Sequence, residues 1–231
     1  MTAVTEQSGA SQSGVIDTTP STTDSDIVVV HRRAIDDILI GLGIVVTIVM
    51  FVAGALLTWG ANFANDHVHK ELTAQKIFFP DAASLKEEGR DDLVKYAEEQ
   101  VSTGGEANAY ASYINGHLQG IGKGKTYAEL GGPQFAAEDA LTAAQESGAS
   151  DAEIADLQAK YDEISDTRNS LFKGETLRGL LLTTYAWDTI GRIASIAAIV
   201  AFGAAAVMLV LVILGMVHHH RNRKAAKAAL S

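Results

Sequence analysis

Two uninterrupted apolar blocks constrain this chain more than any other feature. "ILIGLGIVVTIVMFVAGALLTW" runs from Ile38 to Trp59, and "IASIAAIVAFGAAAVMLVLVILGMV" runs from Ile193 to Val217. Neither contains a charged residue. As helices they measure about 33–38 Å at about 1.5 Å per residue, enough to cross a hydrocarbon core of about 30 Å. A helix buried in a soluble domain is seldom apolar on every face for that length. The pattern predicts two transmembrane helices. Ala53, Gly54 and Ala55 imitate a signal-peptide cleavage site, but signal cores are only about 7–15 residues long. The first block is therefore read as a retained span.

Flanking charge sets the orientation. Arg32 and Arg33 precede the first block, and Arg221, Arg223, Lys224 and Lys227 follow the second. The inner flanks are poorer in cations, with Lys70 on one side and Arg178 and Arg192 on the other. The positive-inside rule then places both termini in the cytoplasm of a plasma-membrane protein. Arg221, Arg223 and Lys224 would meet anionic headgroups. His218, His219 and His220 beside them read as an interfacial cap rather than a metal tract. On the other side, Trp59, Tyr185 and Trp187 are expected at the outer interface, where amphipathic rings favour the headgroup level.

The expected organisation has five parts. A cytoplasmic tail (1–33), rich in Ser and Thr, should be disordered because it cannot bury enough apolar surface to offset its ordering entropy. Its hydroxyls could accept phosphate, but a plain solvated tail is the simpler reading. The first transmembrane helix (34–59) leads to an extracytoplasmic domain (60–191). A second transmembrane helix (192–217) and a basic cytoplasmic tail (218–231) complete the chain. The middle segment is acidic, with 22 Asp and Glu against 11 Lys and Arg. The fold class is an all-α membrane protein: two transmembrane helices flanking an extracytoplasmic, bundle-like helical domain. No cysteine is present, so disulfides and thiolate metal sites are excluded. A net charge of −10 argues against nucleic acid as a partner.

Apolar spacing in the middle segment is helical. Leu85, Leu93, Tyr96 and Val101 form a loose stripe from Ala83 onward. Tyr110, Ile114, His117 and Ile121 mark a helix face from Ala107. Ile154, Leu157, Tyr161, Ile164 and Leu171 lie on a seven-residue grid that Arg168 interrupts, and Ser150 with Glu153 resembles a capping box. No strong breaker follows Ser150, which predicts one long helix into the second span, with Gly174, Gly179 and Gly191 as the places where it could kink. The first helix is expected to end at Phe79, because Pro80 disfavours helix in the residue before it. Phe78 and Phe79 could dock a partner or the membrane surface, but burial in the domain's own core is the simpler reading.

The string "GIGKGKT", Gly120 to Thr126, imitates a phosphate-binding loop. The full pattern needs a glycine where Gln119 stands, and a preceding strand. A flexible helix–helix connection is the better reading, with "ELGGPQ" at Glu129 to Gln134 as a second. No nucleotide is expected there. His67 and His69 diverge by about 200° on a helix. His67 and Glu71 share a face but make at most a weak metal pair, and His117 reads as a hydrogen-bonded core histidine. No nucleophile motif is present. No catalytic residue, metal or other cofactor is expected. In the second block Ala197, Ala201 and Ala205 recur every four residues. Such a small-residue stripe permits close helix approach, to the first span, to a second copy or to another membrane protein.

"QKIFFP" at 75–80, "AYASYINGHL" at 109–118, "GKTYAEL" at 124–130 and "LFKGETLRGLLLTTYAWDTIG" at 171–191 together carry a resemblance. The chain resembles a family of actinobacterial two-span membrane proteins of unknown function, over roughly residues 34–217 apart from a spacer at about 133–166. The label of aromatic ring-opening dioxygenase is often attached to that family. Extradiol ring cleavage wants two histidines and one carboxylate around iron, and the histidines here supply no such set. The expected function is non-enzymatic: an accessory or interaction subunit of the cell envelope or of a membrane complex. Its partners would be the lipid bilayer and a membrane protein or a second copy. The alternative is an extracytoplasmic sensory module that needs a separate output partner.

Overall fold

The computed structural model describes the backbone of residues 22–228, and the side chains of residues 34–222 and of Lys224. The elements are α1 (Thr22–Gln75), α2 (Ala82–Glu87), a 3₁₀ helix (Asp91–Tyr96), α3 (Gly104–Ile121), α4 (Gly131–Glu146) and α5 (Asp151–Ala228). Among the described residues there is no strand, only an isolated antiparallel bridge between Phe78 and Gln100. The chain divides into two compact units, Met1–Ile48 with Ala205–Ser231 and Val49–Ala204.

In the larger unit, α1 from Val49 onward and α5 as far as Ala204 pack with the short elements between them. Val68 and Leu72 of α1 and Leu181 of α5 join Phe79, Leu85, Leu93, Val101, Ala107, Ala111 and Tyr113 in one core. Leu85 and Val101 are fully enclosed, and each burial stabilises the unit by about 1.5–3 kcal/mol. Phe79 stacks on Tyr96 at 5.2 Å and meets Tyr110 edge-on at 5.3 Å. A second cluster joins Leu118 of α3, Leu130 before α4 and Leu171 of α5.

Several elements differ from the sequence expectation. α1 stops at Gln75, not at Phe79, because Lys76 turns left-handed (φ 52°) and residues 77–80 run extended. Their backbone finds partners in the segment 98–101: Phe79 N–H donates to Glu99 O at 3.0 Å and Val101 N–H to Ile77 O at 2.9 Å. Long-range pairing thus overrides the local effect of Pro80. The stripe from Ala83 to Val101 is not one helix but α2, a 3₁₀ turn and this extended return. Leu85, Leu93 and Val101 are buried all the same. On α3 the buried face is Ala107, Ala111 and Leu118, with Ile114 half-buried, so Ile121 and His117 are exposed. At the amino end, α1 is already helical from Thr22, so residues 22–33 of the expected disordered tail lie in a helix; residues 1–21 lie outside the described residues.

The helix into the second apolar block is unbroken: α5 runs through Gly174, Gly179 and Gly191 without interruption. Gly174 and Gly191 mark close packing. A methyl group at Gly174 would collide with Leu118, and one at Gly191 would stand 2.8 Å from Asn65 Oδ1.

Candidate functional site

The apolar blocks pack through small residues, and each unit shows this separately. In the smaller unit Gly43 of α1 is a notch: a methyl there would lie 2.7 Å from Val212 Cγ2. Gly215 of α5 faces Ile40 less tightly, a methyl there standing 3.4 Å from Ile40 Cγ1, and His219 Nε2 lies 3.5 Å from Asp37. In the larger unit Gly54 receives the Phe202 ring, which also meets Phe51 edge-on at 5.5 Å. Thr47 and Thr58 donate their hydroxyls to Gly43 O and Gly54 O, four residues back. An apolar helix thereby leaves no hydroxyl unpaired.

On α5 the best-buried small residues are Ala198 in the larger unit and Ala205 in the smaller, while Ala197 and Ala201 are half-buried. A four-residue step advances about 400° and drifts about 40° round the helix, whereas a seven-residue step drifts only about 20°. Inward positions therefore recur by sevens: Gly191 and Ala198 in one unit, Ala205, Val212 and His219 in the other. The glycines of α1 at 43 and 54 belong to the same kind of contact. Their spacing hid them from a search for four-residue stripes.

The remaining faces of both blocks are bare. In the most apolar 18-residue windows of α1 and α5 only 11% and 17% of the residues are buried. Both helices are long and apolar enough to cross a membrane. Ile38, Leu42, Val45 and Leu56 on one, and Ile193, Ile196, Ile199 and Val207 on the other, are largely exposed. A buried core helix would show the opposite.

Aromatic side chains rim this surface. Trp59, Phe63 and His67 stack along α1 with ring centroids 6.0 Å apart at each step. Trp187 is exposed and, with Phe63, His67, Glu71 and Thr184, lines a cleft; Tyr185 is also exposed. Arg221 and Lys224 are exposed at the other end, and the side chain of Arg223 lies outside the described residues. Of the two phenylalanines, Phe79 is buried in the core and Phe78 is 54% exposed. Among the described residues no group of three or more His, Asp or Glu side chains could hold a metal ion.

The phosphate-loop imitation has a different use. α3 runs to Ile121, so a helix rather than a strand precedes it. Its backbone N–H groups are already spent. Gly122, Lys123, Gly124 and Lys125 donate to Leu118, Gly120, Gln119 and Gly122 carbonyls, and Thr126 N–H donates to Glu129 Oε2 at 2.7 Å. A phosphate cradle needs such groups free. The Thr126 hydroxyl both donates to Glu129 Oε2 and accepts from Glu129 N–H, an arrangement of the capping-box kind. "ELGGPQ" is not a second connection, since α4 begins at Gly131 within it.

A further polar cluster joins α3 to the end of α2. His117 Nε2 and the Tyr113 hydroxyl approach Glu88 at 3.1 and 3.3 Å. His117 is thus a surface partner of Glu88, not a core histidine, because the helix face turns inward at Leu118. The His117 contact, aided by the Tyr113 hydrogen bond, holds the Glu88 carboxyl below its ordinary range. Burial, then the Glu88 hydrogen bond, pushes the Tyr113 phenol up to about 12.

Comparison with protein-family models, curated proteins and solved structures finds no match for this chain.

Proposed function

We propose that this chain is an integral plasma-membrane protein crossing the bilayer twice, with both termini cytoplasmic and its acidic helical domain outside. We infer that it is a non-enzymatic accessory or interaction subunit of the cell envelope or of a membrane complex. Membership of the actinobacterial family that it resembles is part of this reading. The observation that supports it most is the bareness of the two apolar helices, whose most apolar windows are 11% and 17% buried. Burying such a surface in lipid is worth about 25 cal/mol per Å². Within each unit small residues mark the contacts of these helices, Gly43 and Ala205 in the smaller and Gly54 and Ala198 in the larger, and the bare apolar faces are left for lipid, a second copy or another membrane protein.

Photo-crosslinking residues at Ile196, Ile199 and Val207 in native membranes test the partner. The expected product is a discrete adduct with a second membrane chain or with another copy. Adducts with lipid alone at all three positions would remove the interaction reading. A sensory module is the second reading, favoured by the single unbroken helix from Asp151 to Ala228. Such a helix can carry a rotation or a shift along its axis to an output partner.

A further inference from the structure

We propose that the cleft between the start of α4 and the outer part of α5 binds a small carboxylate borne on a six-membered ring, with Arg168 as its anion anchor. The site is built only from outer-domain side chains and does not depend on the membrane assignment.

Four Lys or Arg side chains of the larger unit make ion pairs, while others, Lys70, Lys173, Arg192 and Arg168 among them, make none among the described residues. Arg90 pairs with Asp92, Arg178 with Glu175, Lys160 with Asp156 and Lys123 with Glu163. Among the described residues Arg168 pairs with no carboxylate. Its guanidinium is nevertheless held in place. It lies 4.2 Å from the centroid of the Tyr127 ring, Nη1 donates to Gln134 Oε1 at 2.6 Å, and Nε donates to Tyr127 O at 3.3 Å. Among the described residues Nη2 donates to nothing, and one Nη1 hydrogen is left over. The free end of a planar fork accepts a carboxylate through two parallel hydrogen bonds, and a fork already fixed loses little entropy in doing so.

The cleft has a volume of about 320 Å³ and is lined by Tyr127, Gln134, Ser165, Arg168, Asn169 and Phe172. That lies at the small end of the range for ligand pockets, about 300–1,000 Å³. Tyr127 and Phe172, with ring centroids 5.8 Å apart, give it an aromatic wall. Ser165 Oγ accepts from Gln134 Nε2, so its O–H remains free to donate, and the exposed Asn169 amide adds a donor and an acceptor. A ring stacked on the wall would bring its carboxylate to the fork and any hydroxyls to Ser165 and Asn169. A phosphate dianion suits the site less. No second cation lines the cleft, and Lys123 is engaged by Glu163. A uronic sugar and an aromatic acid share the required chemistry.

The test titrates the purified full chain in detergent micelles with sodium glucuronate and sodium benzoate, with glucose and benzyl alcohol as neutral counterparts. Saturable binding of at least one acid is expected with Kd of about 1 mM or tighter, and its neutral counterpart should bind about tenfold weaker or worse. Glucuronate alone would identify a sugar source, benzoate alone an aromatic acid, and both together the shared carboxylate chemistry. Asn169→Asp places a negative charge in the cleft at an exposed position. It should weaken binding by about tenfold, equivalent to about 1.4 kcal/mol, and leave thermal unfolding unchanged. Arg168→Lys, which keeps the charge and loses the fork, should do the same to binding. If it fails to fold, Asn169→Asp and Phe172→Ala carry the test. Absence of saturable binding of either acid, equal binding of the neutral counterparts, or undiminished binding by Asn169→Asp would overturn the proposal.

Discussion

A methyl group at Gly104 would collide with the side chain of Asp188, and one at Gly174 would collide with Leu118. At Gly120, by contrast, nothing lies within 4 Å. Gly104→Ala and Gly174→Ala should each destabilise the larger unit by about 1–3 kcal/mol through overpacking, whereas Gly120→Ala should not. Thermal unfolding followed by circular dichroism distinguishes them. Titration adds a second residue-scale expectation. Asp81, Glu88 and Glu129 all have lowered pKa values, each from hydrogen bonds: from Ser84 for Asp81, from His117 for Glu88 and from Thr126 for Glu129. Folded values below unfolded ones mean that this stabilisation is present above about pH 4.5 and is lost as pH falls through the folded values. Tyr113 runs the other way. Its phenol is raised to about 12, so its contribution is intact below about pH 10 and is lost between about 10 and 12, as the unfolded chain ionises first. An ultraviolet titration should show one of the six tyrosines ionising near 12, and Glu88→Gln should bring it down. A Tyr113 that titrates with the others would count against the Glu88 contact.

At the scale of elements, the long helices were legible because their signal is local. Continuous apolarity needs no knowledge of neighbours, and neither does the absence of a breaker after Ser150. The 76–103 segment was not legible. Its extended return is set by pairing of Ile77 and Phe79 with Glu99 and Val101, some 20 residues apart, and period counting sees only near neighbours. Caps were partly readable. Glu153 N–H donates to Ser150 Oγ at 3.3 Å. The reciprocal form, however, is made by Thr103 with Glu106 and by Thr126 with Glu129, both at the three-residue spacing that the sequence displays. On α5 a seven-residue register, not a four-residue one, describes which alanines are buried: Ala198 and Ala205 are, whereas Ala197 and Ala201 are half-buried. The Arg168 cleft was hidden because Arg168 counted only as a break in an apolar grid. Two predictions belong here. Ala198→Leu should weaken α1–α5 packing by about 1–3 kcal/mol, and more than Ala201→Leu, since Ala198 has less free surface. Disulfide crosslinking of cysteine pairs on α1 and α5 reads this out; equal losses would contradict the register. Lys125→Ala should change no nucleotide affinity, because the loop's N–H groups are internally bonded. Saturable ATP binding that the substitution abolishes would contradict that assignment.

For the whole molecule, two bare apolar helices and one acidic, well-packed helical unit have to share a single chain. The two halves differ in what they ask of solvent. The elements between the blocks close a core around Leu85, Val101 and Phe79 and turn their charges outward. The apolar blocks keep most of their large side chains uncovered. A bilayer would satisfy both, and on the proposed topology the segment between the blocks lies on the side away from Arg32, Arg33 and the basic run after Val217. The lack of native cysteine makes this directly measurable. Single cysteines at Ser11→Cys, Gly120→Cys and Ala225→Cys are each exposed in turn to a membrane-impermeant maleimide on intact cells. The account predicts labelling of Gly120→Cys alone, with the other two reacting only after lysis. Labelling of Ala225→Cys on intact cells, or protection of Gly120→Cys until lysis, would contradict it.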